Sequence, residues 1–136
     1  MIWGGVDDVW INSKKELIVA EFKVTVKERI KMSPVYKKQL EFYSWLFKNN
    51  NYSVSDSGYV LFCRLTSNQD FSEDWSLKFE PVLVECVIDD SWVLPAVHDA
   101  LLCLDNTELP SPGMKFLEGN QTCEKCKILE NWIKLL

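Results

Sequence analysis

The sequence predicts an α/β fold in which α-helices flank a mixed β-sheet, and three observations lead to this prediction. Two apolar, β-branched segments, 4–11 and 16–23, are separated by four polar residues, which is the pattern of a β-hairpin. Segment 34–49 has helical spacing, and the nearly continuous apolar segment 58–65 is typical of a strand buried on both faces. Because a helix between two strands forms a crossover, we expect strand 58–65 to run parallel to a strand of the hairpin.

The hairpin strands carry charges in their middles, where a buried charge must be paired or bind a metal. Side chains alternate along a strand, so Glu21 and Lys23 share one face with Val19. A three-residue connection places Asp7 opposite Glu21, where the two carboxylates could hold one divalent cation. A four-residue connection shifts the register by one and places Asp8 there instead, so this geometry leaves both aspartates as candidates.

The helix over 34–49 has a start signal and a core-facing stripe. Ser33 suits the N-cap and Pro34 suits the first helical position. The apolar stripe recurs at helical spacing and consists of Tyr36, Leu40, Tyr43 and Phe47. Gln39 lies at the edge of this stripe, one turn before Tyr43.

The second half of the chain predicts a further strand and a further helix. Segment 77–88 has strand composition, and Pro81 within it implies an edge strand or a bulge. An acidic N-cap sequence precedes a helix over 92–105, whose apolar stripe consists of Leu94, Val97, Leu101 and Leu104. Prolines then break regular structure, so we expect a core over 1–109 and a C-terminal tail over 110–136 that packs on the same domain.

The composition is that of one globular domain, with 136 residues of which 47% are hydrophobic. No apolar segment approaches the length of about 18 residues that a membrane span needs, and the N-terminus lacks the pattern of a secretory signal. Five cysteines are an odd number, which fits a reducing compartment. We therefore expect a cytoplasmic protein without a membrane segment.

Charge is distributed unevenly along the chain. The net charge of −5 argues against indiscriminate binding of nucleic acid, but residues 1–50 hold nine Lys and Arg against six Asp and Glu. A basic stretch follows the hairpin and consists of Lys27, Arg29, Lys31, Lys37 and Lys38. These side chains either bind nucleic-acid phosphates or form a solvated surface. A charge run by itself favours the solvated surface, whereas its place directly after a possible metal site supports the two interpretations equally.

The C-terminal tail contains Cys123 and Cys126, which could supply two thiolates to a zinc or iron-sulfur site. A complete site needs two more ligands, which Cys86 or Cys103 would have to provide unless a second chain did. We expect no complete Zn²⁺ site or iron-sulfur cluster, only a remnant or a plain helical turn.

Three motifs occur in order along the chain. The segment Gly4-Gly5-Val6-Asp7 is followed, fourteen residues past the aspartate, by Glu21-x-Lys23, and the predicted helix then carries Gln39-x-x-x-Tyr43. The set resembles the PD-(D/E)XK nuclease superfamily in its RecB-like exonuclease branch. In that pattern the aspartate follows Gly-x-Val, so the resemblance points to Asp7 and not to Asp8.

The resemblance implies a restriction-endonuclease-like fold and metal-dependent hydrolysis of DNA, as by an exonuclease in DNA repair, recombination or defence. Asp7, Glu21 and the backbone carbonyl of Phe22 would bind Mg²⁺ or Mn²⁺. Lys23 would orient or deprotonate the attacking water or stabilise the transition state, with support from Gln39 and Tyr43. The DNA could be single- or double-stranded.

The family's core usually begins with a helix before the first strand, and we expect that this helix is absent here or that the C-terminal helix or a partner chain takes its place. Relatives with an iron-sulfur cluster hold it with one cysteine before the core and three after it, which is not the arrangement here. These departures and the acidic net charge favour an alternative, a non-catalytic nucleic-acid-binding or assembly module with a degenerate nuclease fold. Exposed Trp3, Trp10 and Trp92 would favour a homo-oligomer or a larger nuclease complex.

Overall fold

The computed structural model describes residues 1–66 and 77–106, which form a four-stranded mixed sheet and two helices. The elements are β1 (Asp8–Ile11), β2 (Leu17–Thr25), α1 (Pro34–Asn49), β3 (Ser57–Leu65), β4 (Phe79–Val87) and α2 (Val93–Asp105). The strands lie in the order β1-β2-β3-β4, and β2 and β3 are parallel while the outer pairs are antiparallel. The predicted α/β class and the parallel crossover are confirmed.

The chain divides into two compact units, Met1–Pro95 and Ala96–Leu136. The sheet and α1 belong to the first unit. Residues 67–76 and the predicted tail over 110–136, with Cys123 and Cys126, lie outside the described residues. Neither described helix has the length and apolar character needed to cross a membrane.

The hairpin turns through three residues, because Ile11 pairs with Leu17 and Asn12 bonds to Glu16. Lys15 takes the left-handed conformation (φ 66°), and the Asn12 side chain accepts from the backbone N–H groups around it. The strand β1 is shorter than the predicted segment 4–11 and begins at Asp8. The ladder ends there because the Asp7 side chain accepts the N–H of Phe22.

Helix α1 packs on one face of the sheet through its apolar stripe. The Ser33 hydroxyl accepts the N–H of Val35 at 3.3 Å, and Pro34 is the first helical residue, as predicted. The buried core consists of Val19, Leu40, Val60, Phe62, Cys86 and Ile88, with Tyr36, Tyr43 and Phe47 packed against it. A Cβ on Gly58 would lie 3.4 Å from Leu40 Cδ1, so this glycine lets the helix approach β3 closely.

Within the described residues, the strand β4 pairs only with β3, and its register runs unbroken through Pro81. Of the two predicted explanations for this proline, the structure shows the edge strand and not a bulge. The prediction that β3 is buried on both faces is wrong, because Tyr59, Leu61 and Cys63 on the face away from α1 are only half-buried. The apolar composition of β3 therefore reflects one fully covered face.

Helix α2 begins at Val93, where the backbone N–H bonds to the carbonyl of Asp90 at 3.0 Å. Its third residue is Pro95, a position at which no helical N–H is lost. Of the predicted apolar stripe, Leu94, Leu101 and Leu104 are exposed, so the stripe is not a buried face within the described residues.

Candidate metal centre

Glu21 lies in the middle of β2 on the face that α1 covers, and only 2% of its surface is exposed. Its Oε1 accepts a hydrogen bond from Gln39 Nε2 at 2.9 Å and forms an ion pair with Lys23 Nζ. Its Oε2 is buried and has no hydrogen-bond partner within the described residues. A buried carboxylate oxygen without a partner is costly and rare, and a bound cation is one of the arrangements that satisfy it.

Asp7 lies beside Glu21 at the start of the hairpin. Asp8 pairs with Ala20, so continuing this register by one residue places Asp7 opposite Glu21. Asp7 Oδ2 accepts the N–H of Phe22 at 2.9 Å, whereas Oδ1 makes no hydrogen bond within the described residues. The two carboxylates therefore stand next to each other at the β1–β2 edge, each with one oxygen available.

Asp8, the other candidate from the sequence, belongs to the opposite face. Its Oδ1 accepts the N–H of Val9 at 2.8 Å, and its Oδ2 accepts Trp10 Nε1 at 3.0 Å. Both oxygens are thus used within β1. The three-residue connection selects Asp7, as the Gly-x-Val pattern does.

The Lys23 ammonium is held between a carboxylate and an aromatic ring. Besides the ion pair with Glu21, Lys23 Nζ lies 5.4 Å from the centre of the Tyr36 ring, a cation–π distance. Tyr36 packs on Phe62 with ring centroids 6.0 Å apart, and Phe62 is the register partner of Lys23 on β3. The sequence identified Tyr36 only as a core residue, although its position three residues before Gln39 puts both on one helix face.

Gln39 and Tyr43 occupy different places along α1. Gln39 contacts Glu21 directly, whereas Tyr43 packs against the segment that leads to Asp7. A Cβ on Gly4 would come within 2.8 Å of Tyr43 Cε1, which shows how closely the two segments approach. Phe22 presents its side chain to the opposite face, so only its backbone is available to the site.

A basic cleft of about 420 Å³ opens beyond the end of β2. Its charged residues are Lys27, Arg29 and Lys31, and its wall includes Tyr36, the residue beneath Lys23. Three cations in one cleft form a favourable site for a polyanion such as a nucleic-acid backbone. Tyr36 therefore contacts both this cleft and the Lys23 ammonium beside Glu21.

Lys37 and Lys38, the other members of the basic stretch, do not line this cleft. Lys37 Nζ bonds to Glu41 Oε1 at 2.5 Å and to the carbonyl of Val87 at 2.6 Å. The hydrogen bond with Glu41 raises the pKa of Lys37 above its ordinary 10.5. Lys38 Nζ lies 4.9 Å from the centre of the Trp92 ring. The structure therefore divides the predicted nucleic-acid-binding residues into a cleft and a structural group.

Glu41 is a second buried carboxylate, with 3% exposure, and the sequence gives no signal for it. Besides Lys37, its Oε1 accepts the N–H of Asp89 at 3.2 Å, and its Oε2 accepts Trp92 Nε1 at 2.7 Å. Both oxygens are satisfied, and the contacts tie α1 to the chain that follows β4. Trp92 is accordingly half-buried, and Trp10 is half-buried against Tyr59. Of the three tryptophans expected on the surface, Trp3 alone is exposed.

The described cysteines form no ligand cluster. Cys86 lies in the core, where burial raises the pKa of its thiol, and Cys103 is exposed on α2. Within residues 1–66 and 77–106, no group of three or more His, Cys, Asp or Glu side chains is placed to hold a metal. The candidate centre consists of two carboxylates, Asp7 and Glu21.

Comparison with protein-family models gives no match, and comparison with curated proteins gives none either. Among solved structures, the crystal structure of SSO0001 is similar to this chain with a TM-score of 0.43 and 19% sequence identity. The match covers 75% of this chain and 41% of that one, so this chain spans less than half the length of that protein. A similarity of this size carries no argument about function.

Proposed function

We propose that this chain is a metal-dependent nuclease that hydrolyses phosphodiester bonds of DNA. The observation that carries the proposal is Glu21, whose buried carboxylate has one oxygen held by two donors and the other without a partner. The ordered motifs at Asp7, Glu21-x-Lys23 and Gln39-x-x-x-Tyr43 support assigning the chain to the PD-(D/E)XK superfamily, in its RecB-like exonuclease branch.

The donor set fits Mg²⁺ or Mn²⁺. These hard cations prefer oxygen ligands, and Mg²⁺ is commonly bound by one or two protein carboxylates together with waters and substrate phosphates. Glu21 Oε2, Asp7 Oδ1 and the backbone carbonyl of Phe22 would hold the cation. When bound, it would lower the pKa of a coordinated water and offset the charge that develops on the phosphate.

The residues around Glu21 fix its orientation. Gln39 and Lys23 both donate to Oε1, so Glu21 is locked with Oε2 left for another ligand. Lys23 is itself positioned by the Tyr36 ring, which leaves its ammonium beside the site where a phosphate would bind. There it can orient the attacking water or stabilise negative charge. Lys27, Arg29 and Lys31 would hold the DNA backbone in the basic cleft.

Cleavage of labelled single- and double-stranded DNA in Mn²⁺ tests the proposal. We expect the parent chain to cleave, and Lys23→Ala and Glu21→Gln to lose at least about 100-fold in rate. Lys14→Ala, in the exposed turn of the hairpin, is the matched lysine control and should keep the parent rate.

Calorimetric titration with Mn²⁺ separates the roles. Glu21→Gln should lose metal binding, whereas Lys23→Ala should keep it. A folded parent that binds Mn²⁺ and cleaves neither DNA would refute the nuclease proposal. DNA binding without cleavage would then identify the chain as a non-catalytic nucleic-acid-binding module.

A further inference from the structure

An aromatic cleft of about 370 Å³ lies where the N-terminal segment crosses the C-terminal half of α1. Four of the residues that line it are aromatic: Trp3, Tyr43, Phe47 and Tyr52. Trp3 is 83% exposed and Tyr52 is 55% exposed. The cleft therefore presents ring surfaces to solvent that no other part of the described chain covers.

The backbone after α1 holds one of these rings in place. Asn51 takes the left-handed conformation (φ 63°), and the N–H of Tyr52 then bonds to the carbonyl of Phe47 at 3.1 Å. The Phe47 and Tyr52 rings meet edge to face, 5.8 Å apart and at 88°. One wall of the aromatic cleft is thus fixed before any ligand binds.

The chemistry of the lining selects the class of ligand. None of the lining residues is charged, so a phosphate has no counter-charge there. Asn50 adds one side-chain amide. Its Nδ2 donates to the carbonyl of Leu46 at 2.8 Å, and its Oδ1 is left as an acceptor for a ligand. A flat, neutral ring system with hydrogen-bonding edges fits such a cleft, and a nucleobase is that kind of group.

The position of the cleft connects it to the candidate metal centre. Gly4 belongs to the cleft and lies three residues before Asp7, and Tyr43 lies one turn after Gln39. The basic cleft lies on the other side, at Tyr36, about one turn before Gln39. Along α1 the order is therefore basic cleft, candidate metal centre, aromatic cleft.

We propose that the aromatic cleft is a subsite for one unpaired nucleobase of the DNA strand whose backbone lies in the basic cleft. A base within a duplex is stacked on both faces and paired at its edge, so only an unpaired base can enter. This inference rests on the proposed function, and it defines the substrate as a strand with an unpaired base next to the bond that is cleaved.

Binding of fluorescent single strands of eight nucleotides, measured by anisotropy in Ca²⁺, tests the subsite. One strand is intact, and the others carry a single abasic residue at successive positions. We expect one abasic position to weaken binding by the parent about tenfold. Trp3→Ala should weaken binding of the intact strand by a similar factor and remove the difference between intact and abasic strands.

Trp45→Ala is the matched control, because Trp45 lies on α1, packs on Phe42 and does not line the aromatic cleft. It should keep the difference between the strands. Because Trp3 is exposed, Trp3→Ala should fold like the parent, and circular dichroism checks this. The inference falls if no abasic position matters to the parent, or if the difference persists in Trp3→Ala.

The binding and cleavage experiments test the subsite and the nuclease proposal separately. If the chain does not cleave DNA but shows an abasic difference that depends on Trp3, the subsite stands and the nuclease proposal falls. If the chain cleaves DNA in Mn²⁺ and shows no abasic difference, the nuclease proposal stands and the subsite falls. An equal loss for intact and abasic strands in Trp3→Ala also overturns the subsite.

Discussion

Glu21 and Glu41 are both buried carboxylates, both face the contact between α1 and the sheet, and both form an ion pair with a lysine through Oε1. They differ at Oε2. In Glu41 this oxygen accepts the indole N–H of Trp92, whereas in Glu21 it has no partner within the described residues. Burial and a lysine neighbour therefore do not distinguish the two carboxylates, whereas the unsatisfied oxygen of Glu21 does.

The two glutamates also differ in what they connect. Glu41 joins α1 to Asp89 and Trp92, which are distant in sequence, so its hydrogen bonds hold the fold together. Glu21 contacts Lys23 on its own strand and Gln39 on α1. Glu41 therefore stabilises the fold, whereas Glu21 carries the unsatisfied oxygen at which the proposed metal would bind.

Replacing Glu41 should give the largest loss of stability. Glu41→Ala leaves the part-buried N–H groups of Trp92 and Asp89 without their acceptor and removes the ion-pair partner of Lys37. We expect the free energy of unfolding to fall by about 3 kcal/mol, measured by urea denaturation. Glu21→Ala is the matched comparison and should lower it by less, because this change also removes the buried Oε2 that has no partner in the fold. Equal losses in the two variants would contradict the division of roles.

Binding of Mn²⁺ at the proposed site on Glu21 should raise the thermal stability of the fold. A cation that binds only the folded state stabilises it by about 2.7 kcal/mol at a concentration one hundred times its Kd. The parent should therefore unfold at a higher temperature in Mn²⁺, and Glu21→Gln should show no such shift. Glu41→Gln should keep the shift despite its lower starting stability. A shift of the same size in Glu21→Gln would place the metal elsewhere.

Much of this architecture follows from local patterns in the sequence. The alternation in β2 places Glu21 and Lys23 on one face, and Ser33-Pro34 begins α1 at the residue where the structure begins it. The sequence leaves the length of the hairpin turn open. In the structure the turn has three residues, and Lys15 closes it in the left-handed conformation. Because a register shift of one residue exchanges the faces, this single turn chooses between Asp7 and Asp8.

The rest depends on packing between segments that are far apart in sequence. Lys37 and Lys38 follow Lys31 closely in the chain, yet the helix directs them to Glu41 and Trp92 and away from the basic cleft. The contrast between the two glutamates likewise depends on distant partners. Gln39 donates to Oε1 of Glu21, whereas Asp89 donates to Oε1 and Trp92 to Oε2 of Glu41. No periodicity in the sequence encodes such a difference, since it arises only when β2, α1 and the start of α2 are assembled.

The N-terminal segment offers a sharper test of how Asp7 is held beside Glu21. A methyl group at Gly4 would lie 2.8 Å from the Tyr43 ring, whereas at Gly5 it would meet nothing within 4 Å. Gly4→Ala should cost about 1–2 kcal/mol of stability by overpacking and should weaken Mn²⁺ binding by displacing the segment before Asp7. Gly5→Ala should be neutral or slightly stabilising, since it restricts the unfolded chain. If urea denaturation and Mn²⁺ titration do not separate these variants, Tyr43 does not position the segment.

The smallest effect concerns the proton on Lys37. Its pKa is raised in the fold by the hydrogen bond to Glu41, so the folded protein holds this proton more tightly than the unfolded chain does. The resulting stability is complete below the ordinary pKa of 10.5 and is lost as the pH rises through the raised value. Urea midpoints measured from pH 9 upwards should therefore fall more steeply for the parent than for Lys37→Gln. Lys14 is exposed, so the urea midpoints of Lys14→Gln should fall as steeply as those of the parent. Because Lys37 is itself partly exposed, solvent screening keeps the difference between the parent and Lys37→Gln small. Parallel curves for the parent and Lys37→Gln would show that the contact between Lys37 and Glu41 does not depend on charge, and Glu41 would then stabilise the fold through Asp89 and Trp92 alone.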